Sequence, residues 1–173
     1  MSDQEILDIL ANIKDPEALY KTFDEKRLEV EALYEFTRRV LQKTRPETIT
    51  GPQDVGKICF DMIAQEHEEV RLILLDNKNH IIKTVTICKG LSDSAVLRPR
   101  EVFRIALRTK NVTRLIVVHN HPSGDPTPSQ EDIIASRGIF EAGKIIGIEV
   151  LDSVIVGKYG FYSMQKENQF TKK

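Results

Sequence analysis

The apolar run RLIVV at residues 114–118 opens directly into HNHPSGDPTPSQED. A short branched apolar run bounded by turn chemistry predicts a buried strand. Pro122, Gly124, Pro126 and Pro128 then predict a stiff bend, since each proline fixes φ and removes a backbone donor. Ser129, with Asp132 three residues later, has the pattern of a capping box and predicts a helix from about Ser129 to Ile145. Ala135, Ile139, Ala142 and Ile146 supply its apolar face. A strand that passes through a rigid bend into a helix needs sheet beside it and helix against it, and the rest of the chain must provide both.

The flanking text has that material. Val70 to Leu75 reads as a strand, DNKN as a polar hairpin turn, and Ile81 to Cys88 as the returning strand. Pro99 begins a helix through Arg108, with Glu101 in its first turn and Val102, Phe103, Ala106 and Leu107 on its buried side. IEVLDSVIV and GFYSM complete the sheet. Upstream, a helix is expected over roughly Pro52 to Ala64, with Val55, Ile58, Cys59 and Met62 as its apolar face. Residues 46–51 read as a linker. Residues 1–45 read as a short helical extension, where Ile6, Leu7, Ile9 and Leu10 make one patch and Leu33, Phe36 and Val40 another. Residues 165–173 look like a frayed polar tail. The whole is an α/β chain with a mixed central sheet and flanking helices.

Composition narrows the classes further. At 173 residues the chain holds one full domain with some left over. Its two cysteines, Cys59 and Cys88, are too few and too distant for a Cys-based metal site and read as buried, reduced thiols. The acidic N-terminus does not resemble a signal peptide, and no stretch nears the roughly 18 apolar residues of a membrane span. A soluble, cytoplasmic protein with no membrane association is expected. Twenty-five Lys and Arg against 26 Asp and Glu give a net charge of -1, which does not support non-specific nucleic-acid binding.

His119 and His121 stand at i and i+2 at the end of the buried strand. In extended backbone both imidazoles leave the same side. The proline-stiffened bend could return Asp132 towards them, and two imidazoles with one carboxylate would leave the fourth position of a tetrahedral zinc ion for water. Hydrolysis also needs a group that moves protons, and Glu66, Glu68 and Glu69 cluster before the first strand to supply it. Plainer readings exist. Ser129 and Asp132 need no metal to be a helix cap, and single histidines such as His67 and His80 read as surface or hydrogen-bonding residues. The letters HNH also invite a nuclease reading, but Asn120 would point away from both histidines, and no basic groove accompanies it.

These residues resemble the JAMM, or MPN-plus, metalloproteases, and more closely the JAB domain of the RadC family, long labelled as DNA repair proteins. The family pattern is His-x-His-Pro, six residues, then Ser-x-x-Asp, matched by His119, His121, Pro122, Ser129 and Asp132. LLDNKN, GLSDSAVLRPREVF, AGKIIGIEVLDSVIVG and GFYS also look like RadC segments, so the likeness spans about residues 52–164. It implies a cytidine-deaminase-like JAB/MPN sandwich with one zinc ion held by His119, His121, Asp132 and a water. It carries the family's catalytic glutamate onto Glu68, with Glu69 and Glu66 as alternatives, and gives Ser129 a part in stabilising the oxyanion. The implied reaction is hydrolysis of a peptide or isopeptide bond in a peptide or conjugated-protein substrate. GLSDSAVLR at 90–98 could bind that substrate or be a packed connection.

RadC proteins usually carry a helix-hairpin-helix region before this domain. The first 45 residues are too few for it and contain no glycine; only LYEFTRRVLQK resembles its last helix. DNA association, through Arg38, Arg39 and Lys43, is therefore the weaker alternative, beside a metal-binding interaction domain with little catalysis.

Overall fold

A computed structural model describes Phe36, residues 47–89 and residues 98–170. The rest of the N-terminal segment up to residue 46, including Arg38, Arg39 and Lys43, lies outside the described residues, as do residues 90–97 and 171–173. Five strands form one mixed sheet: β1 (Glu69–Leu75), β2 (Ile81–Lys89), β3 (Arg114–Asn120), β4 (Glu149–Gly157) and β5 (Gly160–Ser163). Their order is β2-β1-β3-β4-β5. Only β3 and β4 run parallel, joined by a helix as a parallel pair requires; the other neighbours are antiparallel.

Strand alternation sorts side chains onto two faces, and both are covered. On one, Ile73, Leu75, Ile116, Val118, Val154 and Val156 pack with Val55 and Ile58 of α1 (Pro52–Ile58). On the other, Leu72, Leu74, Leu115 and Val117 pack with Val102, Phe103 and Ala106 of α2 (Pro99–Arg108) and Ile139 of α3 (Gln130–Ile146). Burial of each such aliphatic side chain contributes about 1.5–3 kcal/mol. β1 and β3 are buried on both faces over most of their length, which is why each carries a run of four consecutive apolar residues, Leu72–Leu75 and Leu115–Val118. The same alternation extended to the end of β3 assigns His119 to the α2/α3 face and Asn120 to the α1 face.

Local chemistry sets the element ends. Asp76 Oδ1 accepts the Lys78 and His80 N–H groups, and Asn79 takes φ 64° to close the β1–β2 turn. Gly147 ends α3 at φ 80°, in the left-handed conformation that favours glycine.

Four expectations change. The helix from Pro52 ends at Ile58 rather than Ala64, and Phe60–Met62 tighten into a 3-10 turn that buries Met62 and brings Asp61 to Arg71. The presumed linker is part of the fold. Thr48 bridges to His80, Ile49 N–H donates to the Asn79 carbonyl, and Ile49 is in the core. The presumed tail is anchored up to Phe170, which is buried and stacks on Phe140 at 4.5 Å, while Arg137 donates to the Gln169 carbonyl. One aromatic residue in a polar stretch outweighed its neighbours. Cys59 is buried, but Cys88, on edge strand β2, is only partly so.

Candidate metal centre

β3 carries His119 to the edge of the α2/α3 layer, and the bend that follows is locked. His121 N–H donates to the Val156 carbonyl, Gly124 N–H to the His121 carbonyl and Tyr159 N–H to the Gly124 carbonyl. The bend thus lies against the β4–β5 turn, with Gly124 at φ 85°. Gly157 is the contact point: a Cβ there would press on the Gly124 carbonyl and come within 3.1 Å of Pro126 N. Gly157→Ala is expected to lower stability by about 1–3 kcal/mol through overpacking. Because the displaced atoms belong to the His121 bend, the melting-temperature rise on adding a divalent metal should also shrink.

At the far end of the bend a capping box starts α3. Asp132 N–H donates to Ser129 Oγ at 3.1 Å, and Asp132 Oδ2 accepts from Ser129 N–H at 2.8 Å and Oγ–H at 2.7 Å. The cap fixes the carboxylate's direction. Asp132 Oδ1 lies 3.2 Å from His119 Nε2, and Oδ2 lies 3.5 Å from His121 Nε2. The two imidazole centroids are 5.1 Å apart. Among the described residues, His119, His121 and Asp132 are the one group of His, Cys, Asp or Glu side chains whose ligand atoms all lie within 4.8 Å of one another.

The donor chemistry suits a cation. His119 is buried, and neither of its ring nitrogens has a hydrogen-bond partner among the described residues; the 3.2 Å approach to Asp132 is off the hydrogen-bond direction. Leaving buried polar atoms in that state costs about 1–3 kcal/mol. His121 Nδ1 lies 2.9 Å from the Asp125 carbonyl, which can only accept, so Nδ1 carries the proton and a neutral ring presents a lone pair at Nε2. Contact with Asp132 raises the His121 pKa against its burial, with the Asp125 carbonyl and the charges of Asp132 and Glu68 adding to the rise. Burial works to raise the Asp132 pKa, but its neighbours His119, His121 and Ser129 win and hold it well below the usual carboxylate range. The site therefore keeps a full negative charge facing two imidazoles, a set that nitrogen- and oxygen-binding divalent metals favour.

The three glutamates before β1 separate clearly. Glu69 is buried against the α1 layer, where its Oε1 accepts from Arg71 Nε at 2.7 Å and Thr86 Oγ1 at 2.9 Å. Glu66 and Glu68 are exposed, and the charge of Glu68 reaches His121. His80 is a surface residue with Nδ1 at 2.9 Å from Asp76 Oδ2. Sequence reading gave Asn120 a direction but no partners. It points away from the histidines as expected, but it is fully buried and bonded to the backbone of His67 and Glu69; partners more than fifty residues distant leave no local signal.

No described helix is long and apolar enough to cross a membrane. A family model for the RadC-like JAB domain matches residues 49–170. A UPF0758 protein of Thermotoga maritima is 39% identical over 146 residues, 83% of this chain and 65% of that protein. Those of Desulforamulus reducens and Syntrophomonas wolfei are 42% and 40% identical over 146 residues, covering 82% and 81% of this chain and 63% and 62% of their own. The chain thus spans a little under two thirds of the length of these relatives. The match begins at Ile49, inside the stretch that pairs with the β1–β2 turn, and ends at Phe170, in the aromatic stack that anchors the C-terminal segment. With the sheet, its two helical layers and the strand–bend–helix unit all inside that range, the chain belongs to the RadC family as a JAB domain.

Proposed function

We propose that this domain is a zinc-dependent metallopeptidase or isopeptidase that hydrolyses an amide bond. The observation that carries the reading is the convergence of His119, His121 and Asp132, with both ring nitrogens of His119 buried and lacking a hydrogen bond among the described residues. A zinc ion in such a set supplies a Lewis acid that lowers the pKa of water and polarises a carbonyl oxygen. Glu68 accepts the proton of the attacking water and delivers one to the departing amine. Two observations support Glu68 over its neighbour: Glu69 is already bound to Arg71 and Thr86, and the charge of exposed Glu68 reaches His121. Ser129 has two parts. Its hydroxyl holds Asp132 in the resting site, and it turns from Asp132 Oδ2 to the developing oxyanion in the transition state. Substrates are peptides or conjugated proteins, presented at the exposed side of the bend.

The test is cleavage profiling of the full chain, stripped with chelator and reloaded with zinc, against a diverse library of peptides and conjugated proteins. Cleavage is expected only with metal, and Glu68→Gln should lower kcat by about a hundredfold or more with zinc content unchanged. Absence of metal-dependent cleavage, or a Glu68→Gln variant as active as its parent, would reject this reading.

A further inference from the structure

Pairing between β1 and β3 ends at Val70 and His119, yet the backbone before Val70 is still held to β3. The holder is a side chain. Asn120 Oδ1 accepts the Glu69 N–H at 2.7 Å, and Asn120 Nδ2 donates to the His67 carbonyl at 3.1 Å. The two bonds fall on either side of Glu68, and Asn120 is itself flanked by His119 and His121.

We propose that Asn120 is a positioning residue that fixes the 67–69 backbone so that Glu68 faces the His119, His121 and Asp132 cluster; this rests on the hydrolase reading of the site. The amide suits the task because it offers one acceptor and two donors on a short stem. A carboxylate would lack the donor for His67, an aliphatic isostere would lack both partners, and a buried amide is stable here only because both ends are satisfied. The Glu69 side chain, tied to Arg71 and Thr86, stops the segment from turning about the Asn120 bonds. With 67 and 69 both held, the direction of Glu68 is set by backbone rather than by its own packing, which an exposed side chain lacks. One residue thus links the end of β3, where His119 and His121 flank Asn120, to the proton carrier, and the separation between them is fixed by two hydrogen bonds.

The experiment places Asn120→Ala in the parent and in the Glu68→Gln background, with three readouts. In zinc-free protein, amide exchange at Glu69 should quicken about tenfold or more, as expected for one lost buried hydrogen bond, while Ile73 in the middle of β1 stays protected. In zinc-loaded protein, zinc content and KM should hold within about twofold while kcat falls about tenfold to a hundredfold. In the Glu68→Gln background the same change should add no further loss of kcat, because two residues acting through one function are not additive. If Asn120→Ala does not fold, Asn120→Asp, which keeps the acceptor and removes the donor, is measured in the same way with the same expectation for kcat. A folded, zinc-loaded variant with kcat within threefold of its parent, or an equal further loss in the Glu68→Gln background, overturns the proposal. Should the parent chain hydrolyse nothing, the hydrolase reading falls by itself and Glu69 exchange decides the clamp: unchanged exchange rejects it, faster exchange retains it.

Discussion

Asp132→Asn is expected to leave the fold standing and to remove zinc binding and activity together. Asp132 does two things at once, as the acidic half of the capping box and as the carboxylate that lies against the Nε2 atoms of both His119 and His121. Asparagine keeps an acceptor for Ser129, and exchanges among capping residues cost about 1 kcal/mol or less. It cannot supply the negative charge. Loss of an outer-shell partner alone weakens metal binding about 10–100-fold, and loss of a ligand exceeds that. Zinc affinity from chelator competition should therefore fall by more than about a hundredfold, with hydrolysis below detection. Without metal the difference between parent and variant should depend on pH. The lowered Asp132 pKa contributes stability that is present above its ordinary value of 3.8 and lost as pH falls through the folded value. The raised His121 pKa contributes stability that is full below 6.5 and lost as pH rises through the folded value. The gap in denaturation free energy should be widest between those two values. A variant that retains zinc at parental affinity would remove Asp132 from the ligand set.

The cluster was legible because each of its parts is written locally. The branched run 114–118, the prolines and Ser129 with Asp132 specify strand, bend and cap within nineteen residues, and rigidity of the bend then brings the carboxylate back to the histidines. The hairpin turn at 76–79 was legible for the same reason. Features set by distant partners were not. A helix drawn from periodicity through Ala64 stops at Ile58, and the turn that follows presents Asp61 to Arg71 of β1, a partner ten residues on that periodicity does not register. Residues 46–51, rich in turn formers, looked like a linker, whereas Ile49 is taken up by the core through bonds to the β1–β2 turn. Setting Glu69 apart from Glu66 and Glu68 required knowing that a buried arginine had already engaged it. Asn120 was rightly expected to face away from the histidines, and its partners lie 51 and 53 residues earlier, beyond the reach of any spacing argument.

That arginine supports the second large effect, on stability rather than chemistry. Arg71 is buried, and its guanidinium forms a fork on Asp61 at 2.9 and 2.8 Å while Nε donates to Glu69 at 2.7 Å. Burial acts to lower its pKa, but the bonds to Asp61 and Glu69 prevail and hold it above the usual arginine value. Arg71→Ala takes from both carboxylates the cation they share, and Glu69 is only 1% exposed. Breaking a buried ion pair by deleting one partner costs about 3–5 kcal/mol, because the remaining charge stays desolvated. Urea unfolding of the zinc-free variant should show that loss near neutral pH. Glu69, deprived of its guanidinium, should then have a folded pKa above its unfolded one, so the penalty is largest where the carboxylate is ionised and shrinks as pH falls towards about 4.3. Arg71→Lys keeps the charge but not the fork, and should recover part of the stability. It also separates the two ends of the network: a single ammonium can hold Glu69 or Asp61 but cannot reproduce both sets of bonds. If Arg71→Ala lowered stability by less than about 1 kcal/mol with no dependence on pH, the carboxylates would have to be hydrated rather than buried, and the anchoring of Glu69 beside Glu68 would have to come from Asn120 and Thr86 without the arginine.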